Sequence, residues 1–249
     1  MQTPEYAPGL VVQKMAAPLR LQDFKLIAFD MDSTLINIEC VDEIADAAGR
    51  KAQVAAITEA AMQGIITDFK DSLRQRVALL KGVPVSHLEA VFTERLRFNP
   101  GAQALIDAAR AAGLKTLLVS GGFTFFADRV KAALGIDFAR SNALEIDNGQ
   151  LTGRMIDQCW GDICDGAEKR RTLLEVASLM GIDPRQTIAV GDGANDLPML
   201  GIAGLGIAFH AKPKVKQTAD HSLSSVGIDG ILYFLGYKDS MLDSELLHS

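Results

Sequence analysis

The chain is 249 residues long, 48% hydrophobic and 22% charged, with a formal net charge of −6. A chain of this length buries roughly three quarters of the surface it exposes when unfolded, enough for one large domain or a core plus a smaller insertion. No apolar run approaches the roughly 20 residues of a membrane span, and the negative charge argues against general attraction to nucleic acid. A small anionic substrate would therefore depend on locally placed Arg or Lys. Cys40, Cys159 and Cys164 form no CxxC pair, and the N-terminus has no charged-then-apolar signal segment. The expectation is buried free thiols in a reducing cytoplasm.

In chain order, residues 1–24 carry Pro4, Pro8 and Pro18 and no sustained period, predicting an extension that wraps the domain or is partly disordered. Leu26 to Phe29 reads as a short buried strand. Helical spacing follows: Val41, Ile44, Ala45 and Ala48 up to Gly49, the Ala-rich run Lys51 to Met62, and Phe69, Leu73, Val77 and Leu80. Ser86 is expected to open a fourth helix, with Glu89 completing a capping box and Asn99-Pro100-Gly101 closing the run. Residues 37–99 thus read as helices without a strand signal. After a helix over Ala102 to Ala112 come a strand at Thr116 to Val119, a helix from Phe123 to Leu134 and a hairpin turning at Asp147-Asn148-Gly149. A helix over Lys169 to Met180, strands at Thr187 to Val190 and Leu205 to Phe209, and a helix or strand at Ile228 to Leu235 complete the pattern, leaving 238–249 as a terminal helix or frayed end. The alternation predicts an α/β protein with a doubly wound parallel sheet, its core made of residues 25–36 and 100–237 with 37–99 inserted after the first strand.

Three predicted strands end in polar loops: Asp30-Met31-Asp32-Ser33-Thr34, Ser120-Gly121-Gly122 and Gly191-Asp192-Gly193-Ala194-Asn195-Asp196. Neighbouring parallel strands would bring these loops to one sheet edge. Asp30 and Asp32, one residue apart, would raise each other's pKa without a cation, pointing to a metal, to phosphate chemistry, or to both; a plain Asx turn has no use for the second. Asp192 and Asp196 raise the acid count to four, which Mg²⁺ tolerates. Ser120 and its glycines are expected to open a helix that receives an anion, or Ser120 to act simply as an N-cap. Lys169 and Arg170 both flank the apolar stripe of their helix, whereas Arg171 points away. Arg76 lies within the stripe of the third insertion helix and Arg74 off it; Arg76 either snorkels or faces a cavity and meets a carboxylate.

Asp30 to Leu35, Ser120 to Phe123, Lys169 and Gly191 to Leu197 resemble, in order and spacing, the four motifs of the haloacid dehalogenase-type phosphatases. Glu39, Val41 to Ala45 and Ser72 to Val77 narrow the resemblance to members that act on O-phosphoserine, over about residues 25–235. It implies a Rossmann-like core with a helical, specificity-giving cap at 37–99. It also implies hydrolysis of O-phosphoserine to serine and phosphate through an aspartyl-phosphate, the last step of serine biosynthesis. By position, Asp30 would be the nucleophile and Asp32 the general acid and base. One Mg²⁺ would sit on Asp30, the Asp32 backbone carbonyl and Asp192. Ser120, the Gly121 backbone and Lys169 would bind the phosphoryl group, with Asn195 beside it and Asp196 orienting Lys169. Glu39 would meet the substrate ammonium and Arg76 its carboxylate. Periodicity supports Arg76 independently; Glu39 falls off its apolar stripe and would serve equally as an acid near a helix N-terminus. Met31 replaces a common Phe and should pack beneath the strand.

The expected partner is the small-molecule substrate alone, with no nucleic acid and no membrane, in a monomer or homodimer. Some relatives carry a regulatory domain ahead of the core, and control by one is not expected within this polypeptide. The alternatives are phosphoryl transfer to another alcohol, action on a related phosphorylated amino acid or alcohol, and a non-catalytic phosphoamino-acid sensor. The intact Asp30 and Asp32 disfavour the last.

Overall fold

The computed structural model describes residues 5–7, 10–12, 19–62 and 65–237. In order they form β1 (Glu5–Ala7), β2 (Leu10–Val12), β3 (Leu26–Phe29), α1 (Cys40–Ala47), α2 (Lys51–Met62), α3 (Phe69–Ala78), α4 (Val85–Ala90), α5 (Ala102–Ala111), β4 (Lys115–Phe123), α6 (Thr124–Leu134), β5 (Phe138–Asp147) and β6 (Gln150–Ile156). There follow α7 (Gly166–Met180), β7 (Thr187–Gly191), α8 (Leu197–Leu200), β8 (Leu205–Phe209), α9 (Pro213–Thr218), β9 (His221–Leu223) and α10 (Ile231–Phe234).

Among the described residues the strands make one sheet in the order β1-β2-β9-β8-β7-β3-β4-β5-β6. From β9 through β5 every pairing is parallel; β1, β2 and β6 add antiparallel edges. Strands β3, β7 and β8 are buried along their whole length, which is why they read as unbroken apolar runs instead of alternating ones. One apolar cluster fills each face: Ile27, Phe29, Ile188 and Val190 point to one, Leu26, Ala28, Ala189 and Leu173 to the other. This is the expected α/β doubly wound architecture.

The sheet order places β3 between β7 and β4, with Phe29 level with Val190 on one side and Leu118 on the other. The loops after these strands therefore open at one carboxyl edge, as the ligand-binding edge of such a sheet requires. Helices α1 to α4 fill the chain between β3 and α5. They join the sheet through a narrow neck, where Ile36 pairs with Phe98 and Asn99 Nδ2 donates to the Thr34 and Ile36 carbonyls at 2.8 and 3.2 Å. A second connection is backbone to backbone, Gly82 N–H to Leu151 O at 2.7 Å and Val85 N–H to Gly149 O at 3.0 Å.

Several elements differ from expectation. Ser86 does not cap: the fourth helix starts at Val85 behind Pro84, no side chain caps it, and Glu89 pairs instead with Arg129 at 2.8 Å. Proline at the N-cap ends the extended chain two residues earlier and leaves Ser86 inside the first turn. The helix expected at Phe123 starts at Thr124, because Ser120-Gly121-Gly122-Phe123 continue β4. The stretch Ile228 to Leu235 is a 3-10 turn followed by α10. The first 24 residues contribute β1 and β2, and β2 pairs with β9. Cys40 and Cys164 are buried free thiols, but Cys159 is exposed. Residues 238–249 lie outside the described residues. Among the described residues no helix is long and apolar enough to cross a membrane.

Candidate active site

The loop after β3 is a tight turn in which the Thr34, Leu35 and Ile36 N–H groups all converge on the Met31 carbonyl, at 3.2, 2.9 and 3.1 Å. Ser33 pays for the turn with a left-handed backbone, φ 55°. The turn directs Asp30 and Asp32 to one cavity. Met31, between them, is buried as expected, its Cε packed under Gly122.

Asp30 is buried, and its Oδ1 accepts from the Met31 N–H at 2.7 Å and lies 2.7 Å from Lys169 Nζ. Lys169 is fully buried and also donates to Asp196 Oδ1 at 2.6 Å. Of the two basic residues that the helical wheel left open, Lys169 faces the site and Arg170 is exposed. Asp196 is held at its other oxygen by the Gly193 N–H at 2.9 Å. Burial disfavours the charged lysine, but the two carboxylates outweigh it and raise the Lys169 pKa above its ordinary value.

Carboxylate oxygens of Asp30, Asp192 and Asp196 lie within 4.8 Å of one another. Burial, then the charge of Asp196, lifts Asp30 to about 7 despite Lys169; burial, then Asp30, lifts Asp192 to about 8. The Asp32 side chain is absent from this cluster. Its carboxylate turns the other way, accepting the Cys40 N–H at 3.0 Å and the Cys40 thiol at 3.2 Å, and its pKa is raised by burial and by Glu39 and Asp30.

Ser120 is fully buried within β4, and its Oγ accepts the Gly122 N–H at 2.8 Å. The expectation that the Ser-Gly-Gly loop opens a helix is thereby corrected: the stretch stays extended, and the serine satisfies its own strand. Gly121 lies beneath α3, where a Cβ would come within 3.0 Å of Phe69 Cζ and 3.3 Å of the Cys164 carbonyl, so close approach explains the glycine.

A cavity of about 1050 Å³ is lined by Asp30, Asp32, Glu39, Ser120, Gly121, Asp192 and Asn195, and Arg76 enters it from α3. Lys169 and Asp196 are not part of this lining; Lys169 reaches Asp30 and is itself paired with Asp196. Glu39 sits immediately before α1, makes no capping hydrogen bond, and accepts the Ser33 hydroxyl at 2.6 Å. Arg76 Nε is buried without a hydrogen-bond partner, whereas Arg74 lies outside, 2.5 Å from Asp162. The wheel separated these two arginines correctly. It gave no sign of Asp42, which lines the same cavity with a buried, unpaired Oδ1, nor of Thr34, whose hydroxyl donates to Asp192 at 3.3 Å. Asp42 is one position off the apolar stripe of α1, where acids are ordinary surface residues.

A buried carboxylate paired with lysine, two further acids and a hydroxyl at one strand edge make a site for a nucleophilic displacement on an anion. Residues 27–201 match the family model described as haloacid dehalogenase-like hydrolase, and the chain belongs to that family. Among curated relatives, it is 68% identical to the phosphoserine phosphatase of Albidiferax ferrireducens over 91% of this chain and 95% of the relative. It is 66% identical to that of a Polaromonas species over 93% and 98%. Among solved structures it resembles a phospho-aspartyl intermediate analogue of phosphoserine phosphatase, with a TM-score of 0.78 and 40% identity over 85% of this chain and 99% of the other. A substrate-bound phosphoserine phosphatase complex matches with the same score and identity over 85% and 98%.

Proposed function

We propose that the chain is a Mg²⁺-dependent phosphomonoester hydrolase that converts O-phosphoserine to serine and phosphate through a phosphorylated Asp30, in the last step of serine biosynthesis. The observation that carries this reading is the buried Asp30–Lys169 pair at 2.7 Å beside a cavity that Arg76 also lines, with its Nε buried and without a hydrogen-bond partner. The relatives' names support the substrate, since the two most similar of those cited share about two thirds of their residues with this chain.

The donor set fits a hard divalent cation: three carboxylates share a small volume, and burial and mutual repulsion push two of them far above their ordinary pKa. Both Asp196 oxygens are engaged by Lys169 and Gly193, which leaves Asp30 and Asp192 of the three to hold Mg²⁺; the family resemblance adds the Asp32 main-chain carbonyl. When bound, the ion would neutralise charge on the phosphoryl oxygens.

The chain's own residues divide the chemistry into two displacements. A carboxylate oxygen of Asp30 bonds to phosphorus as the bond to the serine oxygen breaks, and Asp32 gives its proton to that leaving oxygen. Its raised pKa suits the proton-carrying form. Asp32 then takes a proton from water, whose oxygen displaces Asp30 and releases phosphate. Ser120, the Gly121 backbone and Lys169 bind the phosphoryl oxygens, with Asn195 beside them and Asp196 holding Lys169 in place. The helical segment 37–99 serves as a cap, limiting water during the first displacement and reading the substrate through Glu39 and Arg76.

A phosphate-release assay over O-phosphoserine and glycerol phosphate, with and without Mg²⁺, tests the reading. O-phosphoserine should win by roughly 100-fold in kcat/KM, because a smaller ester leaves Arg76 and Glu39 desolvated and unpaired. Asp30→Asn should abolish turnover while preserving the unfolding transition, and Mg²⁺-dependent turnover within about tenfold of wild type would refute the nucleophile.

A further inference from the structure

The strand β4 loses its register against β5 just where it reaches the site. Val119 pairs with Arg140 and Phe123 with Asn142, so three residues of β4, Ser120 to Gly122, stand opposite the single Ser141. A bulge of this kind leaves backbone groups without ladder partners, and a buried one must find a substitute. The substitute is Asn142. It is fully buried, its Nδ2 donates to the Gly121 carbonyl at 2.7 Å, and its Oδ1 accepts the Cys164 N–H at 2.8 Å.

The same peptide unit that gives its carbonyl to Asn142 gives its N–H, that of Gly122, to Ser120 Oγ at 2.8 Å. With an N–H already donated into its oxygen, the Ser120 hydroxyl keeps its own proton to donate elsewhere. Cys164, held by the other end of Asn142, directly precedes Asp165, the N-cap of α7, and α7 carries Lys169. One buried amide therefore ties the Ser120–Gly121 bulge to the start of the helix that supplies the site's lysine.

Resting on the phosphoryl-binding reading above, we infer that Asn142 is a positioning residue for the reaction. Through the Gly121–Gly122 peptide it fixes Ser120 as a hydrogen-bond donor to the phosphoryl oxygens, and through Cys164 it sets the spacing between that donor and Lys169. It touches no reacting atom. Its effect belongs to the phosphoryl end of the substrate and not to the amino-acid end, which the reading above gives to Glu39 and Arg76, both in the cavity lining.

The test is a double-mutant cycle of Ser120→Ala and Asn142→Ala in the full chain with Mg²⁺. The readouts are inhibition by orthovanadate, a phosphoryl-transfer mimic, inhibition by serine, and thermal melting. Asn142→Ala should weaken vanadate inhibition by about tenfold, as loss of an outer hydrogen-bond partner does, and leave serine inhibition within about twofold. The double variant should be no weaker toward vanadate than Ser120→Ala alone, because both changes remove the same interaction. If Asn142→Ala does not fold, Asn142→Ser, which keeps a small polar group, enters the same cycle. Unchanged vanadate inhibition in a folded Asn142 variant, or effects of the two changes that multiply, would overturn the positioning role while leaving the active-site reading intact. A Ser120→Ala enzyme with wild-type vanadate inhibition would overturn the phosphoryl-binding reading and the inference with it.

Discussion

Replacing Lys169 with methionine removes the positive charge from the most buried part of the site. Lys169 Nζ lies 2.6 Å from Asp196 and 2.7 Å from Asp30, and its side chain is wholly inaccessible. At an effective dielectric of about 20, each contact is worth roughly 6 kcal/mol of Coulomb attraction, which is offset by a desolvation penalty of several kcal/mol per ion. The net value of the pair is thus modest, but the cost of breaking it is not, since Asp30 and Asp196 are left as uncompensated buried acids beside Asp192. Removal of one partner from a buried pair destabilises by about 3–5 kcal/mol. In a chain of this size that corresponds to a fall in Tm of roughly 6–20 °C. The assay is thermal melting in a chelator, so that no divalent cation substitutes for the lysine. Pairing Lys169→Met with Asp196→Asn, which removes one of the stranded charges, should recover part of the loss. A Lys169→Met protein that melts within about 2 °C of wild type, with no recovery in the double variant, would refute the view that this lysine compensates the acid cluster.

Arg76→Ala should raise KM for O-phosphoserine by about 10- to 100-fold through loss of a charged hydrogen-bond partner, whereas Arg74→Ala, which loses only a surface pair with Asp162, should stay within about threefold; equal effects in kinetic assays would remove Arg76 from the substrate-reading wall. Away from the site, Asp137 is partly desolvated, which by itself raises its pKa, but hydrogen bonds from Lys115 and from the Thr116 N–H and hydroxyl overcome this and lower it. A lowered folded-state pKa contributes stability that is present above the unfolded value of about 3.9 and is lost as pH falls through the folded one. Asp137→Asn should therefore cost about 1–2 kcal/mol in urea unfolding at pH 7, and the gap from wild type should close below about pH 4; a gap that stays constant down to pH 2 would contradict the linkage.

The sequence by itself determined the chemistry available: which acids stand at strand ends, that the core strands are buried on both faces, and that Arg76 interrupts an apolar stripe. These are local properties, set by side-chain type and by periods of about two and 3.6 residues, and they survive without knowledge of the fold. It did not determine which way Ser120-Gly121-Gly122 would go, because a serine before two glycines suits a helix start and a bulged strand alike; pairing with β5 and the amide of Asn142 decided for the strand. Nor could helical periodicity choose between Lys169 and Arg170, although the family resemblance named Lys169. Adjacent helical positions differ by about 100°, and only the docking of α7 against β4 and α8, with Asp196 waiting 2.6 Å away, put one lysine inside and left its neighbour in solvent. The partners that complete the site, Asp30 with Lys169 and Thr34 with Asp192, are more than 130 residues apart in the chain. Their meeting depends on the order β7-β3-β4, a property of how strands pair over long separations, which no local window of sequence contains.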